Sequence, residues 1–116
     1  MNRRIGLHLL ASILFVSAAM PGLGVASADE PVTLSIAIKD QKFEPAELHA
    51  PAGKQIAIRV KNLGAIVSEF ESSALHVEKI VPAGGEVVVY VRPQQPGRYN
   101  FFDDFHHDTQ GFLVVP

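Results

Sequence analysis

The residues best placed to do chemistry lie near the end of the chain, in Gly97-Arg98-Tyr99-Asn100-Phe101-Phe102-Asp103-Asp104-Phe105-His106-His107-Asp108-Thr109-Gln110-Gly111-Phe112. Pro96-Gly97 before it is turn chemistry. If the segment starts as a strand, Tyr99, Phe101 and Asp103 share one face. Two aromatic side chains on that face call for a core, and Asp103 follows at its rim. His106 offers an imidazole three residues later, with His107 beside it. A carboxylate and an imidazole in a short loop between strands can converge on one cation. Oxygen plus imidazole nitrogen suits Cu(II), Fe or Zn better than Cu(I). Two plainer readings stay open: Asp103 caps the loop by accepting backbone N–H bonds, and His106 packs on Phe105.

Other acids and imidazoles are candidates. Glu69 lies beside a strand end. If Phe70 faces the core, alternation turns Glu69 away from the side that Ser68 and Phe70 share. A bulge or an edge position is then needed to aim it at a shared cation. Glu78 sits among Val77, Ile80 and Val81; it is either a ligand or a solvent-face charge paired with Lys79 or a base across the sheet. Asp40 and His76 are possible loop ligands. Asp104 and Asp108 can support the loop, His49 reads as a surface residue, and Glu71 and Glu86 read as ordinary surface charges. Serine hydrolysis lacks a Gly-x-Ser-x-Gly elbow. Pro82-Ala83-Gly84-Gly85 lacks the Lys and following helix of a phosphate loop.

The elements that must position these groups read as short strands. Thr33 to Lys39 alternates, with Leu34, Ile36 and Ile38 on one face. Glu47 to Ala50 is a short extended piece. Gln55 to Lys61 alternates through Ile56, Ile58 and Val60. Val67–Glu71, Val77–Val81 and the β-branched Glu86–Arg92 follow, and Leu113-Val114-Val115 closes the domain. Seven or eight such strands with Gly/Pro turns predict an all-β sandwich or barrel. Ser72 to Leu75 has room for one helical turn.

With 116 residues the chain holds one domain. Arg3-Arg4, the apolar run Ile5–Met20, the Pro21-Gly22 break and Ala26-Ser27-Ala28 read as a secretory signal peptide at 1–28. An uncleaved anchor is the rival reading. Removing 28 of 116 residues leaves 88, the domain at 29–116, with no second span. Arg3 and Arg4 leave too, so eight basic side chains face twelve acidic ones and the net charge moves from −2 to −4. An acidic surface is a poor match for nucleic acid or anionic lipid. No cysteine is present, which excludes disulfides, thiol nucleophiles and thiolate metal sites.

The order of motifs resembles a known family. Phe43-Glu44-Pro45 with Pro51-Ala52-Gly53, then Asn62 and Glu69-Phe70-Glu71-Ser72, then Glu78-Lys79-Ile80-Val81-Pro82-Ala83-Gly84, then Pro96-Gly97-x-Tyr99 and the Asp103/His106 segment resemble the cupredoxins. The resemblance implies a Greek-key β-sandwich. It aligns Asp103 with the Cys of blue-copper members, His106 with a ligand His, and Ser68 with the position of the first His. Phe101-Phe102-Asp103-Asp104-Phe105-His106 is similar to the cupredoxin-like proteins found with bacterial iron permeases, the FtrB-like and EfeO-type proteins. Glu78 matches a Glu of those proteins. What this implies is a periplasmic protein that binds Cu(II), or iron, through Asp103, His106, Glu69 and Glu78. It would assist Fe(II) oxidation or delivery to a membrane iron permease, with other periplasmic components as partners. The alternatives are a non-enzymatic copper carrier or buffer, and an interaction module with a degenerate metal site.

Overall fold

The computed structural model describes residues 30–116. The expected leader lies outside them. Strand follows strand: β1 (Val32–Lys39), β2 (Lys42–Glu44), β3 (Glu47–His49), β4 (Ile56–Asn62), β5 (Ser68–Ser72), β6 (Val77–Val81), β7 (Glu86–Val91), β8 (Gly97–Asp103) and β9 (His106–Val115). No helix forms among the described residues. The segment with room for a helical turn is a turn, in which the Ser72 hydroxyl accepts the Leu75 N–H at 3.0 Å.

Two sheets pack face to face. One runs β2-β1-β4-β7, the other β3-β9-β8-β5-β6. The chain passes repeatedly between them, so each sheet mixes strands distant in sequence. Alternating β-branched and aromatic residues drive this, because each strand has one face to bury. Ile36, Ile38, Ile56, Ile58, Val60, Val89 and Val91 come from the first sheet; Phe70, Val81, Phe101, Leu113 and Val115 come from the second. β1 and β4 pair in parallel, Val32 opposite Ile56 through Ile38 opposite Asn62. The architecture is the all-β, Greek-key, cupredoxin-like sandwich that the motif order implies.

Three rings form the part of the core nearest the chemistry. Phe70 and Phe101 stack with centroids 5.0 Å apart, and Phe43 meets them edge-on at 5.9 and 5.1 Å. Gly111 makes this possible. A Cβ there would overlap the Phe101 ring and come within 2.8 Å of the Ala46 carbonyl.

The end of the chain departs from expectation. A loop followed by the short strand Leu113–Val115 was expected. Instead β9 starts at His106 and runs to Val115. Asp104 and Phe105 alone form the turn between β8 and β9. The pairing runs from Gly97 opposite Val115 to Phe102 opposite Gln110, shifts register, and resumes with Asp103 opposite His106. His107, Asp108 and Thr109 have no partner on β8. The Thr109 side chain instead ties β9 to the β1–β2 turn, its hydroxyl donating to the Gln41 carbonyl.

Candidate metal centre

Asp103 and His106 face each other across the β8–β9 ladder. Opposed residues project to the same side of a sheet. Asp103 shares its side with Phe101 by alternation and with Phe70 by direct pairing. It therefore points inward at the end of the core, with its side chain 2% exposed.

Each Asp103 oxygen is engaged. Oδ1 accepts the backbone N–H of Glu69 and that of Phe105, both at 3.0 Å. Oδ2 lies 3.1 Å from His106 Nδ1. Ser68 also favours the charged form of this carboxylate. Burial pushes the Asp103 carboxyl up, but Glu69, Ser68, His106 and Phe105 together outweigh it and hold the group below its usual value. Asp103 is thus kept ionised. It caps the hairpin, and it also presents one oxygen beside an imidazole nitrogen. Two atoms bound to one ion at about 2.0–2.1 Å with cis geometry stand about 3 Å apart. The Oδ2–Nδ1 spacing suits that.

A pocket of about 210 Å³ opens above this pair, lined by Ile38, Asp40, Gln41, Asn62, Gly64, Ala65, Ile66 and Ser68 as well as Asp103 and His106. Buried Asn62 shapes its rim. Its Nδ2 donates to the carbonyls of Ile66 at 2.8 Å and Val81 at 3.2 Å, and its Oδ1 accepts the Gly64 N–H at 2.9 Å. That loop exposes Leu63, Ile66 and Val67, and the hairpin turn exposes Phe105.

Glu69 and Glu78 lie on the other face of the five-stranded sheet. The β5–β6 pairing runs without a break, Ser68 opposite Val81 through Ser72 opposite Val77. No bulge turns Glu69 round, so alternation holds. Glu71 stands directly opposite Glu78. Oxygens of Glu69, Glu71 and Asp104 lie within 4.8 Å of one another. The Asp104 N–H donates to the Glu69 carbonyl at 3.0 Å, and Asp104 Oδ1 meets His107 Nε2 at 3.1 Å. Burial, then the hydrogen bond and charge of Glu78, then the charges of Asp104 and Glu71, push the Glu69 carboxyl up to about 7. Burial, then the charges of Asp104 and Glu78, raise Glu71 as well, and His107 opposes this. The four residues expected to share a site thus form two groups, separated by the thickness of one sheet.

A family model for the cupredoxin-like domain matches residues 6–115. The chain belongs to the cupredoxin-like domain family. A protein of Rickettsia prowazekii (strain Madrid E), described only as uncharacterized, is 40% identical over 88 residues, covering 75% of this chain and 70% of that one. Auracyanin A, a "blue" copper protein from Chloroflexus aurantiacus, is similar in structure at TM-score 0.64 and 22% identity, covering 75% of this chain and 100% of its own. The metal-binding domain of the Streptococcus pneumoniae D39 Cu(I)-exporting P-type ATPase, with Cu(I), superposes at 0.63 and 17% identity, covering 76% and 97%. A purple cupredoxin from Nitrosopumilus maritimus gives 0.56 and 15%, covering 72% and 99%. These likenesses show the fold.

This cupredoxin-like domain does not carry a blue-copper donor set. It has no Cys, and its two Met residues, Met1 and Met20, lie outside the described residues. One carboxylate oxygen and one imidazole nitrogen at the pocket floor fit a harder cation. The remaining candidates are dispersed. Asp40 lines the pocket. His107 lies on the outer face with Asp104, its ring edge-on to Phe102 at 6.0 Å. His76 borders a depression with Glu71 and Glu78. Asp108 borders another beside Gln41 and Thr109. His49 pairs with Glu47 at 3.1 Å on exposed β3. Sequence reasoning passed over Glu71, although its period-two spacing from Glu69 was a usable signal. The convergence of Asp104 on both had none, because it depends on the hairpin turn.

Proposed function

We propose that this protein is a periplasmic metal-binding cupredoxin that serves a ferrous iron uptake system. The observation that carries the reading is the Asp103 Oδ2–His106 Nδ1 pair, 3.1 Å apart on the floor of a pocket. Asp103 and His106 would hold Cu(II) or iron there. An ionised carboxylate with an imidazole favours the higher oxidation state, so Fe(II) held there would give up its electron more readily to an acceptor. Asp103 stays ionised through its hydrogen bonds. Ile38 and Ile66 give the pocket wall apolar surface. The outer carboxylates Glu69, Glu71, Glu78 and Asp104 form a separate oxygen-rich surface that would gather Fe(II) from solvent. Oxidation of Fe(II) releases one electron per ion, so a partner protein or another electron acceptor is required. A membrane iron permease would take the product. The exposed apolar residues Leu63, Ile66, Val67 and Phe105 around the pocket would meet such partners.

The test is Cu(II) and Fe(II) binding by the full chain beside an Asp103→Ala/His106→Ala variant, followed by Fe(II) oxidation with an added electron acceptor. One Cu(II) with a tetragonal, weakly coloured signature, lost in the variant, is the expected result. Equal binding by both proteins would sink the reading.

A further inference from the structure

The geometry points to a second cation site on the outer face of the five-stranded sheet, in which Glu69, Glu71 and Asp104 hold one hard divalent ion of the Mn(II) or Fe(II) kind. This deepens the outer-face part of the functional reading, turning a surface that gathers ions into one site of fixed stoichiometry. It does not depend on the Asp103–His106 pair.

The three carboxylates converge. Glu69 and Glu71 alternate along β5 and so share one face. β5 is an interior strand, held between β8 and β6. Asp104 comes from the β8–β9 turn. Its N–H donates to the Glu69 carbonyl at 3.0 Å, which fixes the turn against β5. One oxygen from each of the three side chains lies within 4.8 Å of the other two. Oxygens bound to one ion at about 2.0–2.6 Å are separated by about 5 Å at most. The spacing already suits a shared ion.

The burial of Glu69 sets this group apart from ordinary surface acids. Glu69 is only 7% exposed, yet its carboxylate accepts no hydrogen bond among the described residues. An ionised carboxylate can only accept, and a buried one calls for a donor or a cation. No Lys or Arg forms an ion pair with Glu69, Glu71, Glu78 or Asp104 among the described residues. Lys79 stands opposite Phe70 and so projects to the other side of the sheet. His107 is the base at hand, its Nε2 3.1 Å from Asp104 Oδ1. It orients that carboxylate from outside. A metal ion supplies the missing positive charge, and carboxylate oxygens completed by water suit Mn(II) or Fe(II).

The experiment uses the purified full chain, stripped of metal, with Mn(II) as the probe. Loss of the free-ion electron paramagnetic resonance signal gives affinity and stoichiometry, read at about 0.15 M salt to screen loosely held counterions. Broadening of amide NMR signals gives location. His106→Gln serves as the background, so that any ion held by the pocket is set aside. It should bind one Mn(II) per chain, with broadening centred on the Glu69, Glu71 and Asp104 amides. Adding Glu71→Gln or Asp104→Asn should lower that affinity by about tenfold or more. The metal-free thermal midpoint of Glu71→Gln should match or exceed wild type, because Glu71 directly opposes Glu78. Several weakly held ions, no bound ion, or an affinity unchanged by both acid variants would overturn the site. Cu(II) binding by wild type, Glu71→Gln and His106→Gln reports separately on the pocket: loss in His106→Gln alone leaves the pocket reading standing whatever Mn(II) does.

Discussion

The backbone N–H of Glu69 donates to Asp103 Oδ1 at 3.0 Å, while the Glu69 side chain lies on the opposite face of the same sheet. One residue thus takes part in both groups of titratable side chains. Its peptide braces the inner carboxylate, and its carboxyl joins the outer cluster.

Asp103→Ala should destabilise the metal-free fold as well as remove a ligand. The Glu69 and Phe105 N–H groups would lose their acceptor. Unpaired buried donors cost about 1–3 kcal/mol each, so a total near 2–4 kcal/mol is expected. Urea unfolding of Asp103→Ala against His106→Ala separates the cap from the imidazole. Equal, small losses in both would rule out the capping role.

The two acids give opposite pH dependences. Glu69 is raised from 4.5 to about 7, so the folded state keeps a proton that the unfolded chain gives up. Its contribution is full below 4.5 and is lost as pH rises through 7. Asp103 is lowered from 3.8, so its contribution is full above 3.8 and is lost as pH falls through its folded value. The metal-free protein should melt at a higher temperature near pH 5 than near pH 8. Glu69→Gln should flatten that difference and leave the acid-side loss in place. A melting temperature independent of pH across this range in wild type would contradict the outer-face electrostatics.

Gly111→Ala forces a Cβ against the Phe101 ring and the Ala46 carbonyl. Overpacking of this kind costs about 1–3 kcal/mol. Calorimetry should show the loss. Phe101→Leu in the same chain should recover part of it if the ring is the obstacle.

Asn62→Ala removes three hydrogen bonds that hold the pocket rim. The expected loss is about 2 kcal/mol. Hydrogen exchange should rise at the Gly64 amide and leave β8 protected. Protection unchanged at Gly64 would mean that the loop is held by other contacts.

Most of the fold was readable in the sequence because most strands bury one face. Ile56, Ile58 and Val60 announce their side by alternation alone, and Val77–Val81 has the expected bounds. The last hairpin was harder. Phe102-Asp103-Asp104-Phe105-His106 lacks the Asn-Gly or Asp-Gly signal of a tight turn, and the register shift after Phe102 hides the long β9 behind polar residues. The Asp103–His106 pair was legible from spacing. The face of Glu69 was legible from alternation with Phe70. The placement of Glu71, Asp104 and His107 around Glu69 was not, since it follows from which residues form the turn.

Asp103 and Asp104 are consecutive, yet one serves the inner pocket and the other the outer face. Inserting or deleting a single residue before the turn would exchange their roles, moving an unbraced carboxylate into the core and a capped one into solvent. Hairpin length is therefore as strict a requirement here as side-chain identity. The Pro93–Pro96 connection sets no strand face, so a length change there would leave both groups of acids in place and disturb instead the bonds from the Gly53 N–H and the Tyr99 hydroxyl to the Gln94 and Gln95 carbonyls.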